Sequence, residues 1–199
     1  HGMGTGSING VSQPAKWTIT LKINGIDYLD KIKHKEMPTS FAALRYYQWE
    51  QTDPTRNYDQ VRVEIRDGKS EFSNVYPMQI LHQASAMEPI VDSLFKELRD
   101  KRMDDLRNLV DAGISDSALA TATSVMMAND STKGTLKDMS VLGFTYDIEE
   151  GVPASEILFY IGMKYGGQTT TCFDVGVSTK NRQIIQIDSF NPTDSAAVN

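Results

Sequence analysis

The sequence predicts an α+β protein in two parts, a small, mainly β region followed by helices that pack on a curved antiparallel sheet. Three observations predict it. An unbroken apolar/polar alternation runs from Trp17 to Ile23, apolar residues recur at helical spacing from Ile90 to Leu98, and from Leu142 onward the spacing returns to two. The chain has 199 residues, 40% hydrophobic and 23% charged, enough apolar material for a core that offsets the entropy lost on folding.

The start, His1 to Ser7, resembles the remnant of a purification tag, and residues 1–14 are set apart as tag and linker. A signal peptide, lipid anchor or membrane helix ahead of Ile8 stays open. Trp17, Ile19, Leu21 and Ile23 share one face of a half-buried strand. Asn24-Gly25 then suits a tight hairpin turn, so Ile26 to Ile32 is expected to pair back. Between Ser40 and Gln51, Ala42-Ala43-Leu44 favours helix and Tyr46-Tyr47-Gln48-Trp49 favours strand, which predicts a short helix running into a strand. Val61, Val63 and Ile65 alternate within a further strand, and Asp67-Gly68 marks a turn before Glu71-Phe72. Residues 15–78 thus read as a mainly antiparallel β region, either a separate domain or an N-terminal extension.

The texture changes near residue 79. Ile90, Val91, Leu94, Phe95 and Leu98 define a helix, with Ser85 to Glu88 as a capping box and Pro89 in its first turn. Met103, Leu106, Leu109 and Val110 predict a second helix ending near Gly113, and Ser115 or Asp116 caps a third that carries Leu119, Ala122, Val125 and Met126. Four strands follow. Leu142, Phe144, Tyr146 and Ile148 share one face, as do Ile157 to Tyr165 at every second position, then Thr171, Phe173, Val175 and Val177, with Ile185 and Ile187 in the last run. Glu149 to Pro153, Gly166-Gly167 and Thr179 to Asn181 are short connections that suit an antiparallel meander. Residues 79–190 form this domain, and 191–199 are a polar tail.

Charge and motif content exclude several functions. The net charge is −6, with 10 Lys/Arg against 9 Asp/Glu in residues 1–84 and 10 against 17 in residues 85–199. So acidic a second half repels phosphate backbones and disfavours nucleic acid. No apolar run approaches the roughly 20 residues of a membrane-spanning helix. Cys172 is the only cysteine, which rules out an intrachain disulfide and a multi-cysteine metal site. Histidine and carboxylate spacings match no zinc pattern, and Asp53 to Asp59 lacks the central glycine and closing glutamate of a calcium loop. Neither a nucleophile elbow nor a phosphate-binding glycine loop occurs. No metal and no cofactor is expected.

Ile90 to Leu98, Met103 to Val110, Gly134 ahead of the sheet and a last strand ending in Ile184 to Phe190 together resemble the nuclear transport factor 2-like (cystatin-like α+β) superfamily, and within it small bacterial domains of unknown function. The resemblance covers residues 85–190. It implies a cone in which helices pack into the concave face of a strongly curved sheet. Members include isomerases, dehydratases, polyketide cyclases, transport factors and periplasmic scaffold subunits of secretion machines, so the fold does not fix the chemistry. It favours the bacterial periplasm or cell surface over the cytoplasm. Residues 17–76 have no counterpart in the minimal fold.

Enzymes of that superfamily place an acid or base inside the cone, which makes Tyr146, Phe159, Tyr160, Phe173 and Asp174 the candidate pocket residues. Asp174 is the one mid-strand carboxylate, yet it alternates with Phe173 and Val175 and is expected on the opposite, wetter face. Tyr146 and Tyr160 are more simply packing aromatics with a hydroxyl at the rim. Cys172 has no local partner and reads as a buried, inert thiol. Lys31, Lys33 and Lys35 fall on one side of an extended segment and read as edge protection rather than an anionic contact. The reading that results is a noncatalytic binding or assembly module contacting a protein or a small apolar ligand. The alternatives are a cofactor-free isomerase, cyclase or dehydratase using Asp174 or a tyrosine, and a secretion-system scaffold that self-associates through its sheet as a homodimer.

Overall fold

The computed structural model describes residues 7–8, 11–12, 17–25, 32–50, 58–66, 68, 70–100, 102–117, 119–120, 123–124, 134–147, 154–166 and 170–190. In order, its elements are β1 (Ser7–Ile8), β2 (Val11–Ser12), β3 (Thr18–Asn24), α1 (Glu36–Glu50), β4 (Gln60–Arg66), β5 (Glu71–Pro77), α2 (Met78–Arg99), α3 (Met103–Leu109), β6 (Leu136–Tyr146), β7 (Glu156–Tyr165), β8 (Thr170–Ser178) and β9 (Ile184–Phe190). They form a β1-β2 hairpin, a three-stranded sheet in the order β3-β4-β5 and a four-stranded antiparallel sheet in the order β6-β7-β8-β9. The α+β class holds, and the last sheet is the expected meander. Residues of both parts, from Leu44 and Val63 to Phe159 and Val175, belong to one hydrophobic core.

The first part differs from its sequence reading. β3 does not turn back at Asn24-Gly25. It pairs in parallel with β4, Thr18 against Gln60 through Asn24 against Arg66, with α1 as the crossover. Gly25 does take a positive φ of 85°, but it turns the chain out of the strand. Of the expected partner, Ile26 to Ile32, residues 26–31 lie outside the described residues, as do Asp53 to Asn57, Ala122, Val125, Met126, Ile148 to Pro153 and the tail. The β4–β5 hairpin forms around Gly68, pairing Arg66 with Glu71.

The mixed stretch after Pro38 is one 15-residue helix, not a helix running into a strand. Met37, Ser40, Leu44 and Tyr47 recur at three- and four-residue steps and are buried, so packing of one helical face overrides the strand preference of the aromatic run. Lys33 and Lys35 lie in the bend and turn that lead into α1. Likewise α2 begins at Met78, and Pro89 sits inside it rather than at its start. Ser85 and Glu88 do not form a capping box. The Arg45 guanidinium grips the Glu88 carboxylate with both nitrogens, at 2.7 and 3.1 Å, and clamps α1 to α2. The Tyr47 hydroxyl adds a 2.9 Å bond to His82 Nδ1.

α1 closes the edge of the second sheet. β6 is an outer strand of that sheet, and its Phe144 N–H donates to Ser40 Oγ at 2.8 Å, while Ser40 Oγ donates to the Met37 carbonyl at 3.1 Å. A register shift between Val141 and Gly143 bulges β6 at this contact. The bulge changes which residues face inward. Val141 and Phe144 are both buried, so Leu142 does not share the Phe144 face. Any Cβ at Gly143 would overlap the Met37 carbonyl and lie 2.6 Å from Ser40 Oγ.

Two substitutions test this seam. Ser40→Ala leaves a buried N–H without its acceptor and is expected to lower the unfolding free energy by about 1–3 kcal/mol. Gly143→Ala, which forces α1 away from the edge, is expected to cost about 1–3 kcal/mol. Urea melts of both variants check this, and melts superimposable on wild type would refute the edge-closing role.

Candidate functional site

The inner face of the β6–β9 sheet is filled. Phe159 and Met163 are 0% exposed and Phe173 is 2% exposed. Two of the expected pocket residues, Phe159 and Phe173, are therefore core packing. Tyr146 is half-buried on the same side, its ring 6.0 Å from Phe144 and 6.4 Å from Tyr76, and burial raises its phenol pKa.

Tyr160 and Asp174 lie on the other face, and the strand register brings them into one row. Gly143 pairs with Tyr160, Tyr160 with Asp174, and Asp174 with Asp188. From this position the Tyr160 side chain reaches the start of α1. Its hydroxyl donates to Glu36 Oε1 at 2.6 Å, the same oxygen that His34 Nδ1 meets at 3.3 Å, and the His34 ring stands 4.7 Å from the Tyr160 ring. Behind this contact the Thr39 and Tyr76 hydroxyls bond at 2.7 Å and Thr39 Oγ1 donates to the Glu36 carbonyl at 2.9 Å. Burial pushes the Tyr76 phenol up to about 12.

The electrostatics of the row follow from its crowded acids. Burial, then the Asp188 and Glu36 charges, raise the Asp174 carboxyl pKa against the opposing pull of His34 and Lys33. Asp174 Oδ1 is buried and has no hydrogen-bond partner. Burial, and then the bond to Glu36, push the Tyr160 phenol well above its ordinary value, so it stays protonated and donates. Burial and the Asp174 charge raise the Cys172 thiol as well, which keeps it from acting as a thiolate. Chemically, the row can accept a donor or cation at the unused oxygen of Asp174. Among the described residues no group of three His, Cys, Asp or Glu side chains is placed to hold a metal ion.

A concavity lies at the β9 edge. It is a groove of about 190 Å³ lined by Val110, Ile114 and Leu119 on one side and Ile185, Gln186, Ile187 and Asp188 on the other. Helical residues at 116–117, 119–120 and 123–124 belong to the expected third helix. Nothing in the linear sequence marks His34, Glu36 or Asp188 as neighbours of Tyr160. The one available signal was the shared parity of Tyr160, Asp174 and Asp188 in successive hairpin-linked strands. No family model, curated protein or solved structure matches the chain.

The sign of the Asp174 effect can be tested. A raised folded-state pKa means that the charged form is penalised in the folded protein at neutral pH and that the penalty fades as pH falls through the raised value towards 3.8. Asp174→Asn is expected to stabilise the protein at pH 7, with the gain shrinking to nothing below that window. A gain that grows on acidification would contradict the burial argument. Tyr160→Phe, by contrast, removes a donor to a carboxylate and is expected to cost about 1.5–3 kcal/mol at pH 7 in the same melts.

Proposed function

We propose that the protein is a noncatalytic binding or assembly module that meets a protein partner through its outer surface. The filled inner face carries this reading, because Phe159, Met163 and Phe173 occupy the space in which a ligand or substrate would otherwise sit. Small-molecule sites usually enclose about 300–1,000 Å³, and the β9 groove, at about 190 Å³, is smaller than that. Two helices ahead of a four-stranded antiparallel meander support a nuclear transport factor 2-like frame for residues 79–190. That frame in turn supports a place in a bacterial envelope, where scaffold subunits of secretion machines share it. Among the described residues no helix is long and apolar enough to cross a membrane.

A second reading, a cofactor-free isomerase, cyclase or dehydratase, is favoured by the buried Asp174 oxygen that lacks a partner. It places the chemistry on the outer face. A substrate turnover that Asp174→Asn abolishes and Cys172→Ser retains would decide for it.

Benzene tests the filled interior, since a dry apolar cavity of sufficient size takes it up. In wild type the NMR signals of Phe159, Met163 and Phe173 are expected to be indifferent to benzene, whereas Met163→Ala is expected to bind it. Benzene-dependent shifts of those signals in wild type would return the function to the interior.

A further inference from the structure

Among the described residues β9 is the outer strand of its sheet, and the chain itself starts to extend that sheet without completing it. Val110 pairs in parallel with Ile184, and the Asp111 N–H donates to the Ile184 carbonyl at 2.8 Å. The chain then turns away, the Ile114 N–H closing onto the Asp111 carbonyl at 3.1 Å. Past Ile184, Gln186 and Asp188 are exposed, and the apolar groove lined by Ile114, Leu119, Ile185 and Ile187 runs along this edge. An outer strand presents unpaired backbone N–H and C=O groups that template another strand, so edge and groove together offer backbone pairing and seats for alternate side chains.

Charge selects the occupant. Asp188 is the one charged residue in the groove lining, and Asp111 and Asp116 lie one and two residues along the chain from its lining residues Val110 and Ile114, while Arg107 is committed to Asp116 at 3.3 Å and to the Asp111 carbonyl at 3.2 Å. A second copy of this chain meeting the edge would set acid against acid. A segment with aliphatic side chains on one face and lysine or arginine on the other would match both the groove and its rim.

We infer that the β9 edge accepts, as an added strand, an extended basic segment of a partner protein whose alternate side chains are aliphatic. This names the partner of the outer surface and rests on the surface-binding reading.

The probe is a fluorescein-labelled peptide of about nine residues, strand length, alternating valine and lysine. It is titrated into the full chain by anisotropy and by backbone-amide NMR. Saturable binding is expected, with amide shifts centred on Val110 to Leu119 and Ile184 to Phe190. Replacing the peptide's lysines by glutamate, or substituting Asp188→Lys or Ile185→Asp in the protein, is expected to weaken binding about tenfold or more. Asp188 is exposed, so its reversal tests charge even if Ile185→Asp fails to fold. Equal binding of the glutamate peptide, or insensitivity to Asp188→Lys, overturns the inference, as does concentration-dependent dimerisation that shifts the same amides. Failure of the peptide to bind overturns this inference alone. Peptide-induced shifts at Phe159, Met163 and Phe173 overturn the surface reading with it.

Discussion

The contact on which the rest of the structure depends is the closure of the β6 edge by α1. An outer strand with buried backbone groups needs partners for them, and Ser40 supplies one to the Phe144 N–H. Gly143 makes the approach sterically possible. From that single docking follow the union of the two sheets in one core, the clamp of Arg45 on Glu88 between α1 and α2, and the position of His34 and Glu36 over the outer face. The polar row is thus a product of the seam between the two parts, and neither part builds it alone.

Strand positions in the second sheet were legible because apolar residues recur at every second position along them: Ile157, Phe159, Ile161 and Met163 are all fully buried. What alternation could not show was a bulge, and the extra residue near Gly143 moved Leu142 off the face that period-two counting gives it. The parallel pairing of β3 with β4 was hidden for a different reason. A strand followed by Asn-Gly carries the local chemistry of a hairpin, while the partner actually chosen lies about 40 residues away and leaves no local trace. In α1 the aromatic run 46–49 favours strand, and only the burial of Leu44 and Tyr47 on a common helical face decides for helix. Proline costs least in the first turn of a helix, which is why Pro89 points to a helix start; the packed face from Ile80 to Leu98 carries the helix through it.

The site was less legible than the fold. Tyr160 and Asp174 could be named from their places in mid-strand, but their relation to Glu36 depends on contacts spanning 124 residues of sequence. The same geometry explains why these groups are poor reagents as they stand. Tyr160 spends its proton on Glu36, and the Cys172 thiol is held neutral by its surroundings. Asp174 keeps an uncommitted oxygen, at a cost in desolvation.

The Ser40–Phe144 bond also has a consequence in time. It joins residues 104 positions apart, and a ribosome adding about 5–20 residues per second needs on the order of 5–20 s to travel that distance. During that interval the apolar flank of α1, with Met37 and Leu44, is already made while the strand that covers it is not. The nascent chain therefore carries an unfinished core through about half of its synthesis, and its safe maturation in the cell falls to whatever shields that flank until β6 arrives.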